Sequence, residues 1–214
     1  FKRLFINILA YFSPLYLFFM LSWGLAYHKM PIEKLMNLNR ENISNQEVIN
    51  LCEALIDSVN IARKRLHEND IEKTSIETVF DKAPEAYENL AIRYPFLTYK
   101  NPSIKKAAGS TLLSYMSTSG VYMFPTGEAN VNDLGMIYDL PFVTTHEMAH
   151  QLGFASEDEA NYLAYLACKN HPDPLFRYSA YYGTTFRALG KVWEIDSVYS
   201  KRLYNLLIPQ VRGD

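Results

Sequence analysis

The stretch that most constrains this chain lies near its start: from Leu4 to Tyr27 the sequence LFINILAYFSPLYLFFMLSWGLAY carries no charged residue. A helical bilayer crossing takes about 20 apolar residues, and this run has that length. Lys2 and Arg3 precede it. Trp23 and Tyr27 stand near its far end, where an interfacial aromatic belt belongs. Pro14 falls in the middle, is tolerated in membrane helices and is expected to kink this one. Two other fits compete. An all-round apolar core helix is out of place in a domain this small. A secretory signal with Gly24-Leu25-Ala26 as a cleavage-like site fits less well, because the run is long for one. The expectation is a transmembrane helix over residues 1–28, with residues 4–27 in a lipid bilayer. The preceding basic residues put its N-terminal side in the cytoplasm and the rest of the chain outside. The sequence opens on Phe1 rather than Met, so residues upstream are expected to have been removed or to lie beyond it.

The chain has 214 residues, enough for one catalytic domain with a real core. Its net charge is −2 with no basic block, which excludes sequence-independent nucleic-acid binding, since that needs a lysine and arginine surface. Cys52 and Cys168 are too few for a disulfide framework and fit helical core positions.

Residues 31–43 form a polar connector. Ser44-Asn45-Gln46-Glu47 matches a capping box, and Val48, Leu51, Leu55 and Val59 continue at helical spacing, predicting a helix that ends near Asn69-Asp70. A second helix is predicted from Ser75 to about Tyr94, with Pro84 breaking it. These make residues 29–100 a helical scaffold. Residues 107–132 mix Gly, Ser and Thr with Tyr, Val, Met and Phe, which predicts short strands joined by turns. Helices are expected again over 144–152, 157–169, 173–191 and 196–208, so that residues 142–208 carry the chemistry. The fold class is α+β, mostly helical with a small sheet.

His146-Glu147-Met148-Ala149-His150 is the chemical centre of the sequence. Residues i and i+4 share one helix face, so His146 and His150 can aim two imidazoles at one ion. Glu147 stands where a general base reaches an activated water. The competing reading is structural: Thr144 with Glu147 matches a capping box. That accounts for the glutamate and not for the paired histidines. A catalytic zinc needs a third protein ligand. Gly153 suits the end of the metal helix, and Ser156 suits the start of the next. Glu157, Asp158 and Glu159 follow in its first turn. Glu157 and Asn161 are i and i+4, so Glu157 is the favoured ligand and Asn161 the partner that hydrogen-bonds a histidine. Glu159 is the competing ligand, although Ser156-x-x-Glu159 is itself a capping box.

HExxH followed by a second acidic motif is the pattern of gluzincin metallopeptidases, which these residues resemble. Glu157-Asp158-Glu159-Ala160-Asn161 is similar to the E-x-E-A-D/N form of membrane-bound zincins. Asn161 replaces the usual aspartate, and the gap between His150 and Glu157 is shorter than those enzymes carry. That short gap resembles the metzincin layout, with Ser156 at the third histidine position. Over most of its length the chain is similar to a family of bacterial membrane proteins of unknown function that combine apolar N-terminal segments with TGEANVN, HExxH, GFA and EDEAN.

The resemblance implies a zincin-like domain, a Zn2+ cofactor, a peptide or protein substrate and a place in the bacterial cell membrane. It implies that Gly127, Glu128, Ala129 and Asn130 belong to an edge strand that pairs with substrate, a turn at Thr126-Gly127 being the alternative. It also implies a downstream His or Tyr that stabilises the oxyanion, from among His171, Tyr178, Tyr181 and Tyr182, with Tyr181 the choice carried forward. The rival function is a catalytically silent zincin-fold binding or regulatory module at the membrane. Intact Glu147 argues against it, since a binding module has no need of a general base.

Overall fold

The structure is a computed structural model that describes residues 1–39 and 43–214; residues 40–42 of the predicted connector lie outside the described residues. Most of the charge-free run lies in one helix, α1 (Lys2–Ser22), which stops short of the predicted residue 28 and has Pro14 inside it and no buried residue. It is long and apolar enough to cross a membrane by length and composition. A 3-10 turn over Gly24–His28 and a short helix α2 (Ile32–Leu35) lead away from it.

The scaffold helices follow the capping signals. α3 (Asn45–Lys64) begins with the capping box: Ser44 Oγ accepts from the Glu47 N–H, and Glu47 Oε2 accepts from the Ser44 N–H at 2.7 Å. It stops at Lys64, earlier than its spacing suggested, and a separate turn α4 (Glu68–Glu72) follows. α5 (Ile76–Arg93) runs unbroken through Pro84. A proline inside a helix costs about 3 kcal/mol. Burial of Val79, Ala83, Ala86, Tyr87 and Leu90 on the same helix offsets that, each large apolar side chain contributing about 2 kcal/mol.

The sheet has three strands in the order β1-β3-β2: β1 (Ile104–Lys106), β2 (Gly120–Met123) and β3 (Glu128–Val131). β1 lies parallel to β3 and β2 antiparallel to it. The first strand therefore precedes the predicted 107–132 segment, and Ser110–Tyr115 inside that segment is a short helix, α6. The β2–β3 turn holds Gly127 at φ 70°, a left-handed conformation that favours glycine.

Helix α7 (Leu140–Gln151) is the structural axis. Every residue from Leu140 to His150 is buried, because the helix touches α5, β2, β3 and the two helices that follow, α8 (Glu157–Lys169) and α9 (Pro174–Ile195). It starts at Leu140, with Asp139 at the N-cap and Pro141 in the first turn, rather than at Thr144, which lies inside the helix and caps nothing. Met148, Ala149, Leu163, Ala167 and Tyr87 share one core, and the Tyr87 hydroxyl donates to the Thr145 carbonyl at 2.7 Å. A second core joins α3 and α9 to α10 (Ser197–Tyr204) and α11 (Pro209–Gly213) through Leu55, Ile56, Val59, Val192, Leu203 and Val211.

Arg63 is buried in that second unit and pairs with Asp214 at 2.6 Å and with Glu68 at 2.8 Å; the Tyr178 hydroxyl also donates to Asp214. Asp214→Ala leaves Arg63 with one exposed partner. It is expected to cost about 3 kcal/mol and to lower the thermal midpoint by about 10 °C, read by circular dichroism on detergent-solubilised protein. An unchanged midpoint refutes the role of this pair.

Candidate metal centre

Three side chains converge where α7 meets α8. His146 Nε2 and His150 Nε2 lie 3.1 Å apart, Glu157 Oε2 lies 3.2 Å from His146 Nε2, and Glu157 Oε1 lies 3.5 Å from His150 Nε2. Among the described residues these three form the one group of His, Cys, Asp and Glu whose geometry can hold a metal ion. A tetrahedral ion bound at about 2.0–2.1 Å needs ligand atoms about 3.3–3.4 Å apart, and the separations here, 3.1 to 3.5 Å, bracket that spacing.

The far side of each imidazole is engaged. His150 Nδ1 lies 2.7 Å from the Phe154 carbonyl, which can only accept, so Nδ1 carries the proton. His146 Nδ1 meets Asn161 Oδ1 at 3.1 Å. Both Nε2 atoms are then left with lone pairs that face each other. Burial, the neighbouring His150 and Arg187 push His146 down to about 3, so the imidazole stays neutral, the form that ligates metal. Two opposed lone pairs at this distance repel unless a cation lies between them. The donor set therefore fits a metal ion.

Local chain geometry places these groups. α7 ends in a Schellman turn: the Phe154 N–H donates to Ala149 and the Gly153 N–H to His150, with Gly153 at φ 85°. The same turn brings the Phe154 carbonyl onto His150. Ser156 occupies the N-cap of α8, but its hydroxyl makes no capping bond. Glu157 and Asn161, one helical turn apart, both face α7. Glu159 lies about 200° round the helix from Glu157. Its carboxylate instead accepts from the Ile32 N–H at 2.7 Å, so it neither ligates nor caps.

Glu147 is 5% exposed, and its Oε2 has no hydrogen-bond partner. Burial, then the charge of Glu157, raises its carboxyl to about 8, and the Tyr122 main-chain N–H opposes the rise. Gly120 makes room for it: a Cβ there would sit 2.6 Å from Glu147 Oε1. The cluster opens into a cleft of about 500 Å³ lined by Ser117–Tyr122, Phe124, Trp23, Tyr27, Asn161 and Arg187.

Several expected site residues lie elsewhere. Tyr181 packs beside Tyr165 and lines a separate hollow with Ser58, Arg65 and Arg177. Tyr178 is tied to Asp214, and His171 stacks on Phe176 with ring centroids 3.9 Å apart. Gly127, Glu128, Ala129 and Asn130 belong to the turn and to β3, the central strand, whose two edges are already occupied. They cannot receive another strand. Glu128 is paired with Lys105 and Thr126, and the Gly127 carbonyl accepts from Gln151 at 2.6 Å. The strand that faces the cleft is β2. Because Ser119 bonds to Asn132 of the β3 side, the alternation of an antiparallel ladder turns the main-chain groups of Gly120 and Tyr122 away from β3, toward the cleft.

Arg187, Tyr122 and Gly120 escaped the sequence reading. No motif marks Arg187. It reaches the cleft because Gly183, one turn earlier on α9, gives its guanidinium a carbonyl at 2.9 Å and leaves space against Phe142.

The fold and site thus define a mostly helical protein with a three-stranded sheet, one long apolar helix and a two-histidine, one-carboxylate cluster that can hold a metal. The chain belongs to the family described as "Protein of unknown function (DUF3810)", whose model matches residues 1–214. No curated protein and no solved structure matches it.

Asn161→Ala is expected to weaken zinc binding about 10–100-fold by freeing the His146 ring, whereas Glu159→Gln leaves it unchanged. Competition titration against a chromogenic chelator measures both. Equal affinities for wild type and Asn161→Ala contradict the orienting role.

Proposed function

We propose that this protein is a membrane-anchored zinc-dependent peptidase with a zincin-like catalytic domain. The observation that carries this reading is the pair of buried imidazoles whose Nε2 atoms face each other, closed by Glu157 and adjoined by Glu147, one carboxyl oxygen of which has no partner. His146, His150 and Glu157 would hold the ion. A zinc ion there supplies a Lewis acid and lowers the pKa of water toward neutrality.

The chain's own groups supply the rest. Glu147, beside the cluster and shielded from solvent, takes the proton of the attacking water and returns it to the leaving amine. Burial and Glu157 raise its proton affinity, and a cation beside it would lower that affinity and favour the carboxylate needed as base. The outer edge of β2, where Glu147 already takes the Tyr122 N–H, offers its remaining main-chain groups, at Gly120 and the Tyr122 carbonyl, for an extended peptide to pair with. Arg187, on the cleft wall, is a cation able to stabilise the oxyanion in place of the expected tyrosine.

Retention of α1 as an anchor, rather than its removal as a signal, is supported by its packing. Trp23 at its end lies against the rings of His150 and Tyr122, with centroids 5.7 Å and 4.9 Å away. Cleavage near Gly24-Leu25-Ala26 would strip this wall from the cleft.

Glu147→Gln tests the reading. It is expected to keep one zinc per chain while lowering hydrolysis of a peptide library by about 10²–10⁴-fold. Gly120→Ala, which crowds Glu147, is expected to keep zinc and lose at least about tenfold in rate, since a small misplacement of a catalytic group is costly. Failure of the wild type to bind zinc removes the metal reading. Zinc bound without turnover by the wild type favours the silent binding module.

A further inference from the structure

The cleft is built against the end of the apolar helix, and this bears on what can enter it. α1 has 21 residues, so it is about 30 Å long, the thickness of a bilayer's hydrocarbon core. Trp23 follows at its C-cap, and Trp23 and Tyr27 both line the cleft that holds His146, Glu147 and His150. The connection is stiff. Lys29 Nζ donates to the Leu152 carbonyl at 2.6 Å, at the end of α7, and stands 3.7 Å over the Phe154 ring. The Ile32 N–H is held by Glu159 of α8. The metal cluster therefore keeps a set height above the bilayer, about one side chain from the helix exit.

β2 supplies the direction. Its C-terminal end leads to Phe124, whose ring lies 5.5 Å from Phe19 and 6.2 Å from Phe18, a turn inside the apolar helix. A peptide paired to the free edge of β2 thus runs between the Glu147 end, at Gly120, and the apolar flank of α1. At about 3.3 Å per residue, the four steps from Gly120 to Phe124 span about 13 Å.

We infer that the substrate is a membrane-anchored polypeptide cut within a few residues of its own transmembrane segment, which continues into the bilayer alongside α1. This rests on the peptidase reading and on α1 crossing the membrane. The anchored chain leaves the bilayer beside Phe18 and Phe19, passes Phe124 and extends along β2, bringing a bond about four residues from the membrane to Glu147.

The test uses the full chain with zinc in phosphatidylcholine vesicles and has two independent readouts. The sequence holds two tryptophans, Trp23 and Trp193, so Trp193→Phe leaves Trp23 as the sole tryptophan, excited selectively at the red edge where tyrosine does not absorb. Its emission should be quenched most by nitroxide lipids labelled near the headgroup and little by aqueous iodide. Cobalt exchanged for zinc should quench it too, an effect absent from His146→Ala. Quenching by iodide alone, or most strongly by labels at the bilayer centre, overturns the interfacial placement. The second readout is cleavage of single-span polypeptides carrying one permissive sequence at about 4, 12 or 20 residues from the span, all tethered so that effective concentration stays comparable. Cleavage at the near position should be at least about tenfold faster than at the far one. Equal rates, or equal cleavage of the free peptide, remove the membrane restriction and leave the peptidase standing. No cleavage of any substrate by the zinc-loaded protein removes the peptidase, and this inference with it.

Discussion

Everything in this structure depends on placing two imidazoles and a carboxyl inside a helix that is buried on all sides. Buried polar groups are costly unless partnered, and α7 carries His146, Glu147 and His150 within five residues. The surroundings answer that cost one group at a time. α8 presents Asn161 to one imidazole and Glu157 to both, and the Gly153 turn hands the Phe154 carbonyl to the other. What stays unanswered is the space between the two Nε2 atoms and one oxygen of Glu147, and those are the places where chemistry is expected.

The same economy links the site to the apolar helix. Glu159, in the first turn of α8, grips the Ile32 main chain, while Glu157 two positions away faces the histidines. One acidic turn thus serves both the metal cluster and the segment that leaves α1. Lys29 completes the link at the end of α7. Displacing α1 would therefore disturb the turn that orients His150, not only the wall formed by Trp23.

Much of the architecture was legible because it is local. The Ser44 capping box, the 157–169 helix and the Gly153 stop all rest on contacts within a few residues, and their positions match the sequence closely. The misses are non-local. Pro84 looked like a break because its cost is local, while the burial that offsets it comes from α7 and α8. β1 was overlooked because three residues carry little periodicity, and it exists only through its pairing with β3. That pairing placed Gly127–Asn130 at the centre of the sheet and passed the exposed edge to β2. Tyr181 was chosen from a tyrosine-rich helix with nothing to set its rotation, and packing against α3 turned it away from the cleft.

By itself the sequence determined that His146 and His150 stand together, because i, i+4 spacing on a helix fixes which side chains share a face. It determined the presence of an apolar helix near the start and the turn that ends α7 for the same reason: helix geometry and a glycine's freedom act over a few residues. Only the tertiary structure decided that Glu157 rather than Glu159 closes the cluster, that Gly120 shelters Glu147 and that Arg187 reaches the cleft. It alone set the end of α1 against His150. Those choices depend on how one helix is rotated against another, and that rotation is set by the summed packing of residues far apart in the chain.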